Sequence, residues 1–227
     1  MASSSGPRVA AVLGATGLVG GACVERLLAD GAFARVVTVG RRALDREHAK
    51  LEQVVAELGG GGAWTPPAGV TDAFCCLGTT IGKAGSPEAF RRVDFDLVVW
   101  AARGASAAGV GQFLLVSSLG ADPASRVFYS RVKGEAEAAV RSLPFRGVQI
   151  FRPSLLLGER EEFRLGERVA APLSRLVSPL LLGGLRRYRP VAAGAVAAAM
   201  VRVAREAPAG VNVFESERIA ALAASGA

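Results

Sequence analysis

Histidine is nearly absent from this 227-residue sequence: the single copy, His48, lies in the charged segment DREHAK and reads as an exposed side chain. One imidazole cannot supply a Ser-His-Asp triad or a histidine metal site without distant partners, so both are set aside and no metal is expected. Cysteine is scarce too. Cys23, Cys75 and Cys76 lack metal-ligand spacing, and neighbours on a strand point to opposite faces, so Cys75 and Cys76 are not expected to pair. Free thiols suit a reducing compartment, and a cytoplasmic location is expected.

Apolar runs long enough to span a bilayer, about 20 residues, are also missing. The uncharged run 9–24, which follows Arg8, is interrupted by Gly14, Gly17, Gly20 and Gly21. Gly20 also stands three before Cys23, where a lipoprotein cleavage box takes a large apolar side chain. The run therefore reads as mature protein rather than a secretory segment. No Pro/Ser-rich linker or internal repeat divides the chain, and a hydrophobic content of 51% excludes disorder. One domain over 1–227 is expected, with residues 154–227 forming part of a substrate side. The net charge of +7 is spread along the chain, including Arg186, Arg187 and Arg189. Without a recognition-helix, zinc-finger or aromatic RNA-platform signature, that charge points to phosphate-bearing small molecules rather than nucleic acid.

What the sequence does contain is a repeated alternation of apolar runs and helical periodicity. Residues 9–13 form a continuous apolar run suited to a strand buried on both faces. The turn GATGLVG (14–20) follows, and then Leu18, Val19, Ala22, Leu27 and Leu28 recur at helical spacing up to Gly31. Further strands are predicted at 34–40, 52–56, 72–78, 112–118, 148–153 and 211–215, and helices at 86–109, 129–143 and 191–206. Ser86 and Pro87 open the first of these helices as N-cap and first-turn residue. Residues 59–69 read as a loop. The pattern is that of an α/β protein with a doubly wound parallel sheet.

Ligands of such sheets bind beyond the carboxyl ends of the strands. In the strand-turn-helix setting, Gly14 serves the turn, Gly17 lets the backbone approach a pyrophosphate and Gly20 packs helix on strand; Thr16, Leu18 and Val19 complete the loop. After the second strand, Gly40 stands where an NAD-binding protein places an acid for the ribose hydroxyl, and Arg41 and Arg42 follow. Two guanidinium groups without the acid favour a ribose 2′-phosphate. After the fourth strand, CLGTT brings Leu77, Gly78, Thr79 and Thr80 to the same edge. The fifth strand ends in Ser117 and Ser118, and Tyr129 and Lys133 lie four apart, on one face of the next helix. A cation beside a phenol favours the phenolate, which suits proton transfer with a substrate oxygen.

GATGLVG, VGRR, CCLGTTIGKAGS, LLVSSLGAD, FYSRVKGEAE and FRPSLLLGER, in that order, resemble the atypical short-chain dehydrogenase/reductases, specifically the branch that includes the Tat-interactive protein oxidoreductases. The resemblance implies a Rossmann fold with a short C-terminal substrate-side appendage. It also implies NADPH as cofactor and a Ser-Tyr-Lys site at Ser118 or Ser117, Tyr129 and Lys133, with Pro153 and Ser154 lining the nicotinamide. Two departures stand out. Asp94 in RRVDFD lies near the place of an asparagine that supports a proton relay in many reductases, and the stretch after the sixth strand is short for a substrate domain. The pocket is then small, open or completed by another subunit, as in a homodimer. The function expected is NADPH-dependent reduction of a small-molecule carbonyl, or oxidation of the corresponding alcohol. The alternative is a non-catalytic NADPH sensor or assembly module. A sugar-nucleotide epimerase would need a larger substrate lobe.

Overall fold

The computed structural model describes residues 6–60, 64–157 and 189–225. Seven parallel strands form the main sheet: β1 (Arg8–Leu13), β2 (Phe33–Gly40), β3 (Leu51–Val55), β4 (Asp72–Cys75), β5 (Gln112–Val116), β6 (Gly147–Arg152) and β9 (Gly210–Glu215). Their order is β3-β2-β1-β4-β5-β6-β9. The direction of winding reverses between β1 and β4, which makes the gap beyond their carboxyl ends the switch point where such sheets take ligands. A separate parallel pair, β7 (Leu156–Leu157) with β8 (Val191–Ala192), ties the chain leaving β6 to the segment entering the late helix.

Side-chain alternation explains why the strands are apolar throughout. Ala10 and Val12 face one core, with Val19, Cys23 and Leu27 of α1 (Leu18–Ala29) and Val196, Ala197 and Met200 of α6 (Ala193–Glu206). Ala11 and Leu13 face the other, with Ala101, Ala102 and Ala105 of α4 (Leu97–Ala107) and Ala136 and Val140 of α5 (Phe128–Arg141). Each fully buried Leu or Phe contributes about 1.5–3 kcal/mol. Small residues allow close docking: a Cβ on Gly104 of α4 would overlap the Trp64 backbone. Trp64 and Trp100 pack against each other with ring centroids 6.3 Å apart, and His48 is exposed, as its charged segment predicted.

Several boundaries differ from the sequence expectation. The helix expected over 86–109 is three segments: α3 (Pro87–Arg91), a π-helical turn (Arg92–Asp96) and α4. Ser86 does cap it, accepting from Ala89 N at 3.1 Å. The fourth and fifth strands stop at Cys75 and Val116, because the residues after them leave the ladder to line the carboxyl edge. The late helix begins at Ala193, residues 191–192 pairing as β8. Two short helices, α2 (Ile81–Ala84) and α7 (Ser216–Ala224), were not foreseen. Arg186 and Arg187, with the rest of 158–188 in the expected substrate side, lie outside the described residues.

Candidate functional site

The glycine turn crosses the switch point. Gly14 has φ +81°, and a Cβ there would press on the carbonyl of Cys76 in the loop after β4. A Cβ on Gly20 would overlap the carbonyl of Gly14. Both glycines are thus demanded by packing. Gly17 caps α1 in extended conformation, and its N–H donates to Gly14 O at 2.9 Å. Leu18 and Val19 send their side chains toward the core while Thr16 is exposed at the turn. The first-turn N–H groups of Leu18, Val19 and Gly20 have no acceptor within the helix, and the positive end of its dipole faces the same opening. That arrangement suits an anion.

Beyond β2, Arg41 and Arg42 are exposed, and neither pairs with a carboxylate among the described residues. A cleft of about 290 Å³ flanks this end, lined by Val39, Val54, Trp64 and Trp100 among others.

Beyond β4, Leu77 turns into the core and Gly78 is exposed. Thr80 caps α2, its hydroxyl accepting from Lys83 N at 3.2 Å. Thr79 N donates to Asp94 Oδ2 at 2.9 Å. Asp94, carried on the π-helical turn, is fully buried, and its Oδ1 lies 2.7 Å from Lys133 Nζ. Beyond this ion pair no other donor reaches Oδ1 among the described residues. Burial pulls the Lys133 pKa down, but the Asp94 carboxylate, together with Tyr129 and Cys75, more than offsets it and holds the ammonium above the ordinary lysine value. Burial also pushes the neighbouring Cys75 thiol up to about 12, so that thiol stays neutral.

Tyr129 and Lys133 sit one turn apart on α5, as their spacing predicted. The Tyr129 ring packs on buried Phe90 of α3, centroids 5.3 Å apart. The two serines part company. Ser117 is buried and its hydroxyl donates to Glu137 Oε1 at 2.6 Å, whereas the half-buried Ser118 hydroxyl has only a 3.4 Å contact to Leu119 O. Ser154 Oγ donates to Arg189 O at 2.5 Å, and its N–H donates to Ser216 Oγ at 2.9 Å. Pro153 is buried, and its carbonyl accepts from Leu119 N at 2.9 Å, joining the ends of β5 and β6.

Sequence reasoning missed Glu137. It is buried on α5 and accepts from Arg152 Nε at 2.9 Å and Nη2 at 2.6 Å, and from Arg141 at 3.1 Å. The signal was its place, four after Lys133 on a face that includes buried Ala136 and Val140, where a solvated glutamate would not sit. Gly134 was missed as well. A Cβ there would overlap the backbone of Asp122 and Pro123, so this glycine lets the loop after β5 lie against α5.

These features fit a dinucleotide: a turn closed to side chains, and first-turn N–H groups at the switch point with no acceptor in their helix. No family model matches the chain. It is 40% identical over 163 residues to protein HTATIP2 of Rattus norvegicus, covering 70% of this chain and 67% of that protein. Over 216 residues it is 35% identical to the mitochondrial protein fmp52 of Emericella nidulans, covering 88% and 91%. The chain belongs to this family of atypical short-chain dehydrogenase/reductases. The family is of the NAD(P)-binding oxidoreductase type. Its fold in this chain superposes on the human epimerase family protein SDR39U1 with NADPH at a TM-score of 0.61 and 19% identity, covering 92% and 74%. Other solved neighbours of the same fold carry NAD. Among the described residues no helix is long and apolar enough to cross a membrane.

Proposed function

We propose that this protein is an NADPH-dependent oxidoreductase that reduces a small-molecule carbonyl or oxidises the matching alcohol. The observation that carries the reading is Tyr129 one turn from a buried, charged Lys133, beside a glycine turn at the sheet's switch point. Residues 14 and 16–20 would hold the pyrophosphate, Arg41 and Arg42 the 2′-phosphate, and residues 77–80, Lys133 and Pro153 the remainder. When bound, the reduced dinucleotide supplies a hydride. Tyr129 gives its phenolic proton to the carbonyl oxygen, and Ser118 orients that oxygen by donating its hydroxyl hydrogen. Ser117 is left out of this role because Glu137 holds its hydroxyl. Lys133 places a cation near the phenolate that proton transfer leaves. We place the protein in a reducing compartment, in keeping with three free cysteines; the cytoplasm is the compartment proposed, although the fungal relative is named for the mitochondrion.

The second reading is an NADPH-binding sensor, and Asp94 favours it: by neutralising Lys133 it reduces the net charge available to a phenolate. A panel of aldehydes, ketones and quinones separates the two, since the enzyme consumes NADPH with at least one class and the sensor with none.

Cofactor choice tests the arginines. A hydrogen bond to a charged group is worth about 1.5–3 kcal/mol, and each 1.4 kcal/mol is about tenfold. Arg41 and Arg42 are exposed, so screening reduces that figure. NADPH is expected to bind roughly 10 to 100 times more tightly than NADH at low salt, and less so as salt rises. Alanine at both positions removes most of the gap and leaves NADH binding close to wild type. Equal affinities in the wild type, by fluorescence titration, would withdraw the NADP assignment.

A further inference from the structure

We propose that Asp94 is the positioning residue of this site, one buried carboxylate that fixes both the charged head of Lys133 and the path of the loop after β4. This deepens the reading above and rests on it for the site's purpose, while its geometry stands apart. Asp94 Oδ2 accepts the Thr79 N–H at 2.9 Å and Oδ1 stands 2.7 Å from Lys133 Nζ. The loop runs directly over that pair: a Cβ at position 78 would be in van der Waals contact with it, 3.4 Å from Oδ1 and 3.6 Å from Nζ. One carboxylate thus touches the loop proposed to cradle the dinucleotide and the lysine proposed to act on Tyr129.

No second anion does the same work. The groups that act on Lys133 are Asp94 on the π-helical turn, Cys75 on β4 and Tyr129 on its own helix, with Glu137 four residues further along that helix. The Cys75 thiol is neutral, and both oxygens of Glu137 are occupied by Ser117, Arg152 and Arg141. A buried ammonium without a counter-ion favours its neutral form. An asparagine at 94 would keep an acceptor for Thr79 N yet leave Lys133 without a charge partner, whereas an alanine would remove both functions.

The test uses the full chain with Asp94→Asn and Asp94→Ala, and two readouts that need no turnover. The first is denaturant unfolding from about pH 7 to pH 10, around the ordinary lysine value. In the wild type the Lys133 pKa is raised by folding, so its stabilisation is full below the ordinary value and is lost as pH rises through the folded one. In Asp94→Asn the folded value drops below the unfolded one, the native state binds fewer protons, and stability rises with pH relative to wild type. The ratio of the two unfolding constants should change by up to about tenfold per pH unit. The second is NADPH fluorescence titration, in which Asp94→Ala binds about threefold to tenfold more weakly than Asp94→Asn because only the latter keeps the Thr79 acceptor. A pH-independent stability difference, or equal NADPH affinity in the two variants, overturns the proposal. If Asp94→Asn does not fold at neutral pH, Asp94→Asn with Lys133→Met should fold, since the unpaired cation is gone; failure of that rescue overturns it as well. A wild type inert toward every carbonyl refutes the oxidoreductase reading and leaves this result unaffected.

Discussion

Phe in place of Tyr129 lowers carbonyl turnover by about 10² to 10⁴, the usual contribution of a general acid, and leaves NADPH affinity nearly unchanged. The expectation separates the ring from its hydroxyl. The ring packs on Phe90 with centroids 5.3 Å apart, and a phenylalanine keeps that contact. Only the proton donor is lost, so the effect falls on kcat rather than on folding or cofactor capture. Steady-state kinetics beside a cofactor titration give the answer. A variant that turns over as fast as wild type would move the acid elsewhere and leave Tyr129 a packing residue.

The largest effect on stability is expected at Glu137. Its carboxylate joins Ser117 at the end of β5 to Arg152 at the end of β6, from the helix that carries Tyr129 and Lys133. In Glu137→Ala the Arg152 guanidinium, about one-fifth exposed, loses a bidentate partner, and the buried Ser117 hydroxyl loses its acceptor. Removing one member of a buried pair costs about 3–5 kcal/mol. Arg141, more than a third exposed, adds little. A fall in Tm on the order of 10 °C follows for a chain of this size. Glu137→Leu with Arg152→Met should recover much of the loss, since an apolar pair needs no compensating charge. An unchanged melting curve in the single variant would mean that the cluster is solvated and contributes nothing.

The sheet could be read from the sequence because each strand is a short apolar run buried on both faces, and that signal survives without tertiary knowledge. The glycine turn and the Tyr129–Lys133 spacing were readable for a similar reason: both are local patterns fixed by backbone geometry. The serine was not. Ser117 and Ser118 stand side by side just past β5, and which of them meets Glu137 depends on a helix residue twenty positions later. Asp94 was noticed for its position, while its bonds to Thr79 and Lys133 join three elements distant in sequence. The helix over 86–109 was read as continuous because a π-helical turn leaves the apolar periodicity almost intact. Ser86, Pro87 and the buried Phe90 look the same in either case.

That wider turn carries a consequence in chain length. Buried positions step from Phe90 to Asp94 to Val98 and then to Ala101 and Ala105, so the stripe takes two strides of four before returning to three and four. An uninterrupted α-helix advances about 100° per residue. If one residue between 92 and 96 were excised and the turn relaxed to an ordinary α-helix, Phe90 and Val98 would stand seven residues apart, about 700° of rotation and so within about 20° of one face. The buried stripe on either side would keep its face, so the π-helical turn is a local widening and not a change of register. Asp94 is thus carried on the one stretch of this helix whose winding can change without turning its neighbours away from the core.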